Sequence, residues 1–160
     1  MPPVVVILPL FLAVRNLGVI DRVGTIALLH AVFSLPLGIW LMKSFFDSVP
    51  VSLEEAAFID GATLLQTLWR ITLPLVRGGI VTVGLLAFIF SWNEFVFALV
   101  FTQQNARTAP IVLANATYGE AQIFWADMSA LAVIMTIPAI IVAAVGQKYL
   151  VRGLTSGAVK

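Results

Sequence analysis

Apolar residues fall into four blocks separated by polar punctuation. Residues 4 to 14 (VVVILPLFLAV) are short; residues 23 to 42 contain His30 as their only ionisable group; residues 78 to 101 carry Glu94 as their only charge; residues 128 to 147 carry none. A helix rises 1.5 Å per residue, so about 20 residues cross a bilayer core of roughly 30 Å. The last three blocks meet that length and predict membrane-spanning helices. The first meets it only by running from about Pro2 to Leu17, which brings Arg15 and Asn16 to an interface where a long cation can snorkel. The expected fold is all-α, a polytopic bundle with four spans.

Between the second and third blocks lies a polar interruption, KSFFDSVPVSLEEAAFIDGATLLQTLWRITLP, at residues 43 to 74. Pro50 stops the preceding element, and Ser52 with Glu55 three residues later has the form of a capping box ahead of Leu53, Ala56, Ala57 and Phe58. Asp60-Gly61 is a turn dipeptide whose glycine can take φ > 0. A second short helix is expected over about 62 to 71, with Pro74 at the entry to the third span, where proline is tolerated. Apolar faces form from Leu53, Ala57 and Phe58, and from Leu64, Leu65, Leu68 and Trp69. Such a pair can simply lie along the membrane surface. The small Ala56 and Ala57 beside Gly61 also suit close insertion into a groove of a partner.

Composition agrees with a membrane protein. The chain of 160 residues is 61% hydrophobic and 11% charged, against roughly 25% charged in soluble domains. There is no cysteine and one histidine, so no disulfide framework, thiol nucleophile or metal site is expected, and no catalytic group or cofactor. The phosphate loop G-x-x-x-x-G-K-[ST] and H-E-x-x-H are absent, so this polypeptide is not an enzyme and cannot hydrolyse ATP alone. Basic residues are scattered rather than patched, so the charge does not point to nucleic acid and no nucleic-acid partner is expected. With residues 43 to 74 inside, the cytoplasmic side holds Lys43, Arg70, Arg77, Lys148, Arg152 and Lys160, and the outer side Arg15, Arg22 and Arg107. That asymmetry follows the positive-inside rule, puts both termini in the cytoplasm and residues 15 to 22 and 102 to 127 outside. The latter stretch is too long for a simple connection.

Ser91, Trp92, Asn93, Glu94 and Phe95 interrupt the third span in its outer half. A carboxylate at that depth costs on the order of 3 kcal/mol unless paired, hydrated or protonated, so Glu94 should face protein. Two roles fit the cluster. Trp92 could stack on a ring of a bound molecule while Asn93 and Glu94 bond its polar groups; alternatively Asn93 and Glu94 bond neighbouring helices, the commoner use of such groups. His30, set among Leu28, Leu29, Ala31 and Val32, reads as hydrogen-bonded packing rather than a proton relay. Pro36 and Pro138 read as helix kinks.

The interruption resembles the docking loop of the membrane subunits of ABC importers. Its pattern, Glu-Ala-Ala, three residues, Gly, nine residues, Ile-x-Leu-Pro, falls on Glu55, Ala56, Ala57, Gly61, Ile71, Leu73 and Pro74. The resemblance implies that residues 50 to 74 dock in a groove of a separate ATPase, with Glu55 and Asp60 meeting it, Gly61 shaping the turn, and Ile71, Leu73 and Pro74 anchoring the loop. The WNEF run at 92 to 95 and the tail GLTSGAVK at 153 to 160 are similar to carbohydrate permeases of the maltose type. For residues 1 to 160 this implies a permease domain in the cell membrane holding the last four of six spans, hence a truncated chain. The implied partners are ABC ATPase subunits, a second permease subunit, an extracytoplasmic solute-binding protein, membrane lipid and a sugar or oligosaccharide cargo. Trp92, Asn93 and Glu94 are the substrate-pathway candidates. Another cargo such as glycerol phosphate, a non-transporting scaffold, and a secondary transporter using Glu94 as an ion site are the competing readings.

Overall fold

A computed structural model of the protein describes residues 4 to 117 and 125 to 156. Every regular element among them is helical: α1 (Val4–Asn16), α2 (Val23–Asp47), α3 (Val51–Ile59), α4 (Leu64–Thr67), a π turn (Leu68–Thr72), α5 (Leu73–Trp92), α6 (Val96–Phe101), α7 (Ala109–Thr117) and α8 (Trp125–Ser156). Three runs are long and apolar enough to cross a membrane: Val23–Asp47, Leu64–Trp92 and Trp125–Gln147. The first apolar block forms the 13-residue α1, about 20 Å long and so shorter than a bilayer core. It ends at Asn16 because Gly18, at φ 67°, turns the chain. Pro2, Pro3 and the tail at 157 to 160 lie outside the described residues. Pro36 and Pro138 sit within α2 and α8, both continuous helices.

The third span differs from the expected 78 to 101. Its helix begins earlier, at Leu64, and stops at Trp92; α6 then restarts at Val96. Pro74 does not begin it. A proline has no N–H for the carbonyl four residues back and its ring crowds that carbonyl. The π turn just before it widens the helix, with the Leu73 N–H reaching back five residues to the Leu68 carbonyl, and the helix continues through Pro74 unbroken.

The chain divides into two compact units. One comprises residues 1 to 34 and 88 to 141. Its core is Val14 of α1, Ile26 and Leu29 of α2, and Phe97 and Phe101 of α6, flanked by Ile7, Leu10, Phe11, Val19, Ile20 and Val100. Phe97 also packs on Phe33 with ring centroids 4.4 Å apart.

The second unit comprises residues 35 to 87 and 142 to 160. Small residues let its helices approach closely, as in membrane packing generally. A methyl carbon added at Gly79 of α5 would clash with the Phe45 ring of α2, whereas at Gly84 it would meet nothing within 4 Å. Gly79→Ala is therefore expected to destabilise the purified protein by about 1–3 kcal/mol through overpacking, read as a lower melting temperature. Gly84→Ala should be neutral or slightly stabilising, since alanine is the better helix former; equal melting temperatures for the two variants would contradict the close α2–α5 contact.

Candidate functional site

The predicted docking residues form one local structure. Helix α3 begins directly after Pro50, whose side chain caps nothing, so Ser52 is already inside the first turn and the Ser52/Glu55 capping box does not form. The box present is Thr63 with Gln66: the Thr63 N–H donates to Gln66 Oε1 at 2.8 Å and the Gln66 N–H to Thr63 Oγ1 at 3.4 Å. Between the helices, Gly61 stands at φ 82°. Its N–H bonds the Phe58 carbonyl and that of Ala62 bonds the Ala57 carbonyl, the paired bonds of a helix end closed by a left-handed residue. Helix α3 then packs back on α4 and the π turn.

That packing buries Ala57, Thr67 and Thr72 and leaves Glu55, Ala56, Asp60, Gly61 and Pro74 exposed, with Ile71 and Leu73 half-buried. Glu54 is the carboxylate that ties the loop together, accepting a 3.0 Å hydrogen bond from the Thr72 hydroxyl. Its position one helical turn before the buried Ala57 is the signal that separates it from its outward neighbour Glu55. Large apolar side chains remain uncovered across both pieces: Phe58, Ile59 (86% exposed), Leu64, Leu65 and Trp69 (68%). The unit thus presents a shaped apolar surface whose far end is continuous with a 29-residue helix.

The polar cluster of the third span is organised around the helix break. Glu94 follows the end of α5, and its carboxylate accepts the N–H groups of Phe97 at 2.8 Å and Ala98 at 3.1 Å. A side chain that satisfies the first amides of α6 offers the backbone an alternative to continuing α5. His30 of α2 closes the arrangement, with Nδ1 2.7 Å from Ser91 Oγ and Nε2 3.3 Å from Glu94 Oε2. With Glu94 ionised, and so only accepting, Nε2 would carry the proton and Nδ1 of the neutral ring would accept from the Ser91 hydroxyl. His30 is hydrogen-bonded, as expected, but to polar partners rather than amid an apolar face.

Trp92 and Asn93 point elsewhere. The Trp92 Nε1–H donates to the Met135 carbonyl of α8 at 3.1 Å, its ring stacks on Phe88, and the Asn93 amide donates to the Ile89 carbonyl at 2.8 Å. Both line a cavity of about 320 Å³ whose walls include Pro110 and Leu113 of α7 and Met135 and Thr136 of α8. The structure therefore separates the three substrate-pathway candidates into two that face a cavity and one, Glu94, that holds the first turn of α6.

Sequence reasoning missed Asp21. It lies between α1 and α2 at φ 59°, and its carboxylate accepts the backbone N–H groups of Gln103, Gln104, Asn105 and Ala106 at 2.8–3.1 Å, with the Asn105 side-chain amide at 2.9 Å. Those N–H bonds, Gln103 and Asn105 foremost, hold its carboxyl well below the usual carboxylate range. A depressed folded pKa means the contribution is complete above the ordinary aspartate value of about 3.9 and is lost as pH falls toward the folded one. An Asp-Arg pair ahead of an apolar span carries no local mark of so distant a partner.

Comparison with known proteins places the chain. Residues 1–156 match the family described as binding-protein-dependent transport system inner membrane component. The chain is 41% identical over 152 residues to the trehalose/maltose transport system permease protein MalG of Thermococcus litoralis, covering 94% of this chain and 55% of that protein. It is 40% identical over 162 residues to the trehalose transport system permease protein SugB of Mycobacterium tuberculosis (99% and 59%), and 37% over 160 residues to the sulfoquinovosyl glycerol transport system permease protein SmoH of Agrobacterium fabrum (99% and 56%). It thus spans a little over half the length of these relatives. An all-α chain with three membrane-length helices among its described residues, matched over nearly its whole length, belongs to the family of inner-membrane components of binding-protein-dependent transport systems.

Proposed function

We propose that this chain is a permease portion of a binding-protein-dependent ABC importer for a sugar or oligosaccharide, working by alternating access driven by a separate ATPase. The observation that carries the proposal is the loop at 50 to 74: an exposed apolar surface on a closed turn, continuous with the span Leu64–Trp92. In this reading Glu55, Ala56, Ala57, Asp60 and Gly61 dock on the ATPase, and Ile71, Leu73 and Pro74 join the loop to the span. A push on the loop is delivered to a helix rather than dissipated in a flexible linker. The chain works beside a second permease subunit, with an extracytoplasmic binding protein delivering cargo. The relatives' names, for trehalose/maltose and sulfoquinovosyl glycerol transport, support a carbohydrate. Trp92 and Asn93 at the cavity are the residues for cargo contact, and Glu94 supports them.

The orientation is tested by thiol labelling, which the cysteine-free sequence permits directly. Gln104→Cys in intact cells should react with a membrane-impermeant maleimide and Ile59→Cys should not, both being exposed positions. A loaded binding protein should protect Gln104→Cys. The reverse labelling pattern would invert the topology and remove the docking assignment with it. Gln122, another position expected outside, lies beyond the described residues.

A further inference from the structure

Four consecutive backbone N–H groups, of Gln103 to Ala106, converge on one point. Successive amides arranged in this way form a concavity that binds anions. Here the point is filled from 82 residues away by the Asp21 carboxylate, and the Asp21 N–H itself donates to the Phe101 carbonyl at 3.0 Å. The turn is braced from its other side, the Arg107 guanidinium donating to the Gln103 carbonyl. Two residues later α7 begins, and Ala109, Pro110 and Leu113 of α7 wall the cavity that Trp92 and Asn93 also line.

We infer that Asp21 is an intramolecular anion seated in a backbone nest at residues 103 to 106, and that it acts as a positioning residue by fixing where α7 starts against the cavity. The nest needs a negative charge: without one, four amide dipoles point at the same empty spot and repel. It needs a short side chain too, because the Asp21 backbone is itself held in the turn. The second half of the inference, the effect on transport, rests on the proposed function; the first half does not.

The variant that separates charge from backbone is Asp21→Gly. Glycine keeps the positive φ without strain and vacates the nest, which a small carboxylate from solution can then occupy. In the purified full chain, amide hydrogen exchange at residues 103 to 106 should accelerate by about tenfold or more in Asp21→Gly, since exchange reports local opening. Sodium formate should restore protection, and sodium gluconate of equal ionic strength, too bulky for the site, should not. Asp21→Asn, which also tolerates positive φ, should fall between because one oxygen becomes a donor. In cells, uptake per assembled complex should drop in Asp21→Gly through a raised KM, with kcat less affected. Unchanged exchange in Asp21→Gly, or exchange that formate leaves fast, overturns the nest. Formate-restored protection alongside normal uptake upholds the nest and overturns its role in transport.

Discussion

Gly61→Val is expected to abolish cargo uptake while the protein still inserts and accumulates in the membrane. Gly61 holds φ 82°, and a Cβ there would meet nothing within 4 Å. The defect is therefore backbone strain alone: a β-branched residue in the left-handed region costs about 1–3 kcal/mol. That energy is comparable to what the two closing hydrogen bonds of the turn contribute, at about 0.5–1.5 kcal/mol each. The angle between α3 and α4 is then no longer specified, and the apolar surface of Phe58, Ile59, Leu64, Leu65 and Trp69 loses its shape. Gly61→Asn, which tolerates that region, should retain most uptake. Glu55→Lys reverses an exposed charge without touching the fold and should weaken co-purification with the ATPase subunit. Glu54→Ala instead cuts the tie to Thr72 and should loosen the loop. Normal co-purification and normal uptake in Gly61→Val and Glu55→Lys together would refute the docking assignment.

What was legible in the sequence is what depends on neighbours. Runs of apolar residues at 23 to 42 and 128 to 147 are helices because no other backbone arrangement satisfies its own hydrogen bonds in lipid, and Asp60-Gly61 is a turn because glycine there meets no steric penalty. Ambiguity entered where two local rules competed. Ser52-x-x-Glu55 and Thr63-x-x-Gln66 have the same capping form, but only the second forms, because α3 already starts after Pro50 and leaves Ser52 inside its first turn. Pro74 has the form of a helix start, yet the preceding π turn carries the helix through it. The break after Trp92 contains neither glycine nor proline; it depends on Glu94 turning back onto Phe97 and Ala98. Entirely hidden were the distant pairs, Glu54 with Thr72, His30 with Glu94 and Asp21 with Gln103 to Ala106. Each residue shows its chemistry in the sequence, but its partner is chosen by the fold.

Glu94→Leu is expected to remove most assembled complex from the membrane, whereas Glu94→Gln should assemble and transport nearly normally. Leucine leaves the Phe97 and Ala98 amides uncapped and His30 Nε2 without its acceptor; each unsatisfied buried donor costs about 1–3 kcal/mol. Glutamine keeps one carbonyl oxygen for an amide. Its NH2 group can face His30 if the ring changes tautomer, so that Nε2 accepts and the Nδ1–H donates to Ser91 Oγ. Ser91→Ala combined with Glu94→Gln removes that escape and should lower assembly below either single variant. The cavity residues should behave in the opposite way. Trp92→Phe retains an aromatic wall and loses only the bond to the Met135 carbonyl, and Asn93→Ala removes a polar group from the lining. Both should assemble, with altered cargo affinity or selectivity per assembled complex. Altered selectivity in Glu94→Gln at normal assembly would make Glu94 a cargo contact. Loss of uptake in that variant together with dependence on an ion gradient would identify a secondary transporter. Unchanged affinity and selectivity in both cavity variants would move cargo choice away from this chain, to the second permease subunit or the binding protein.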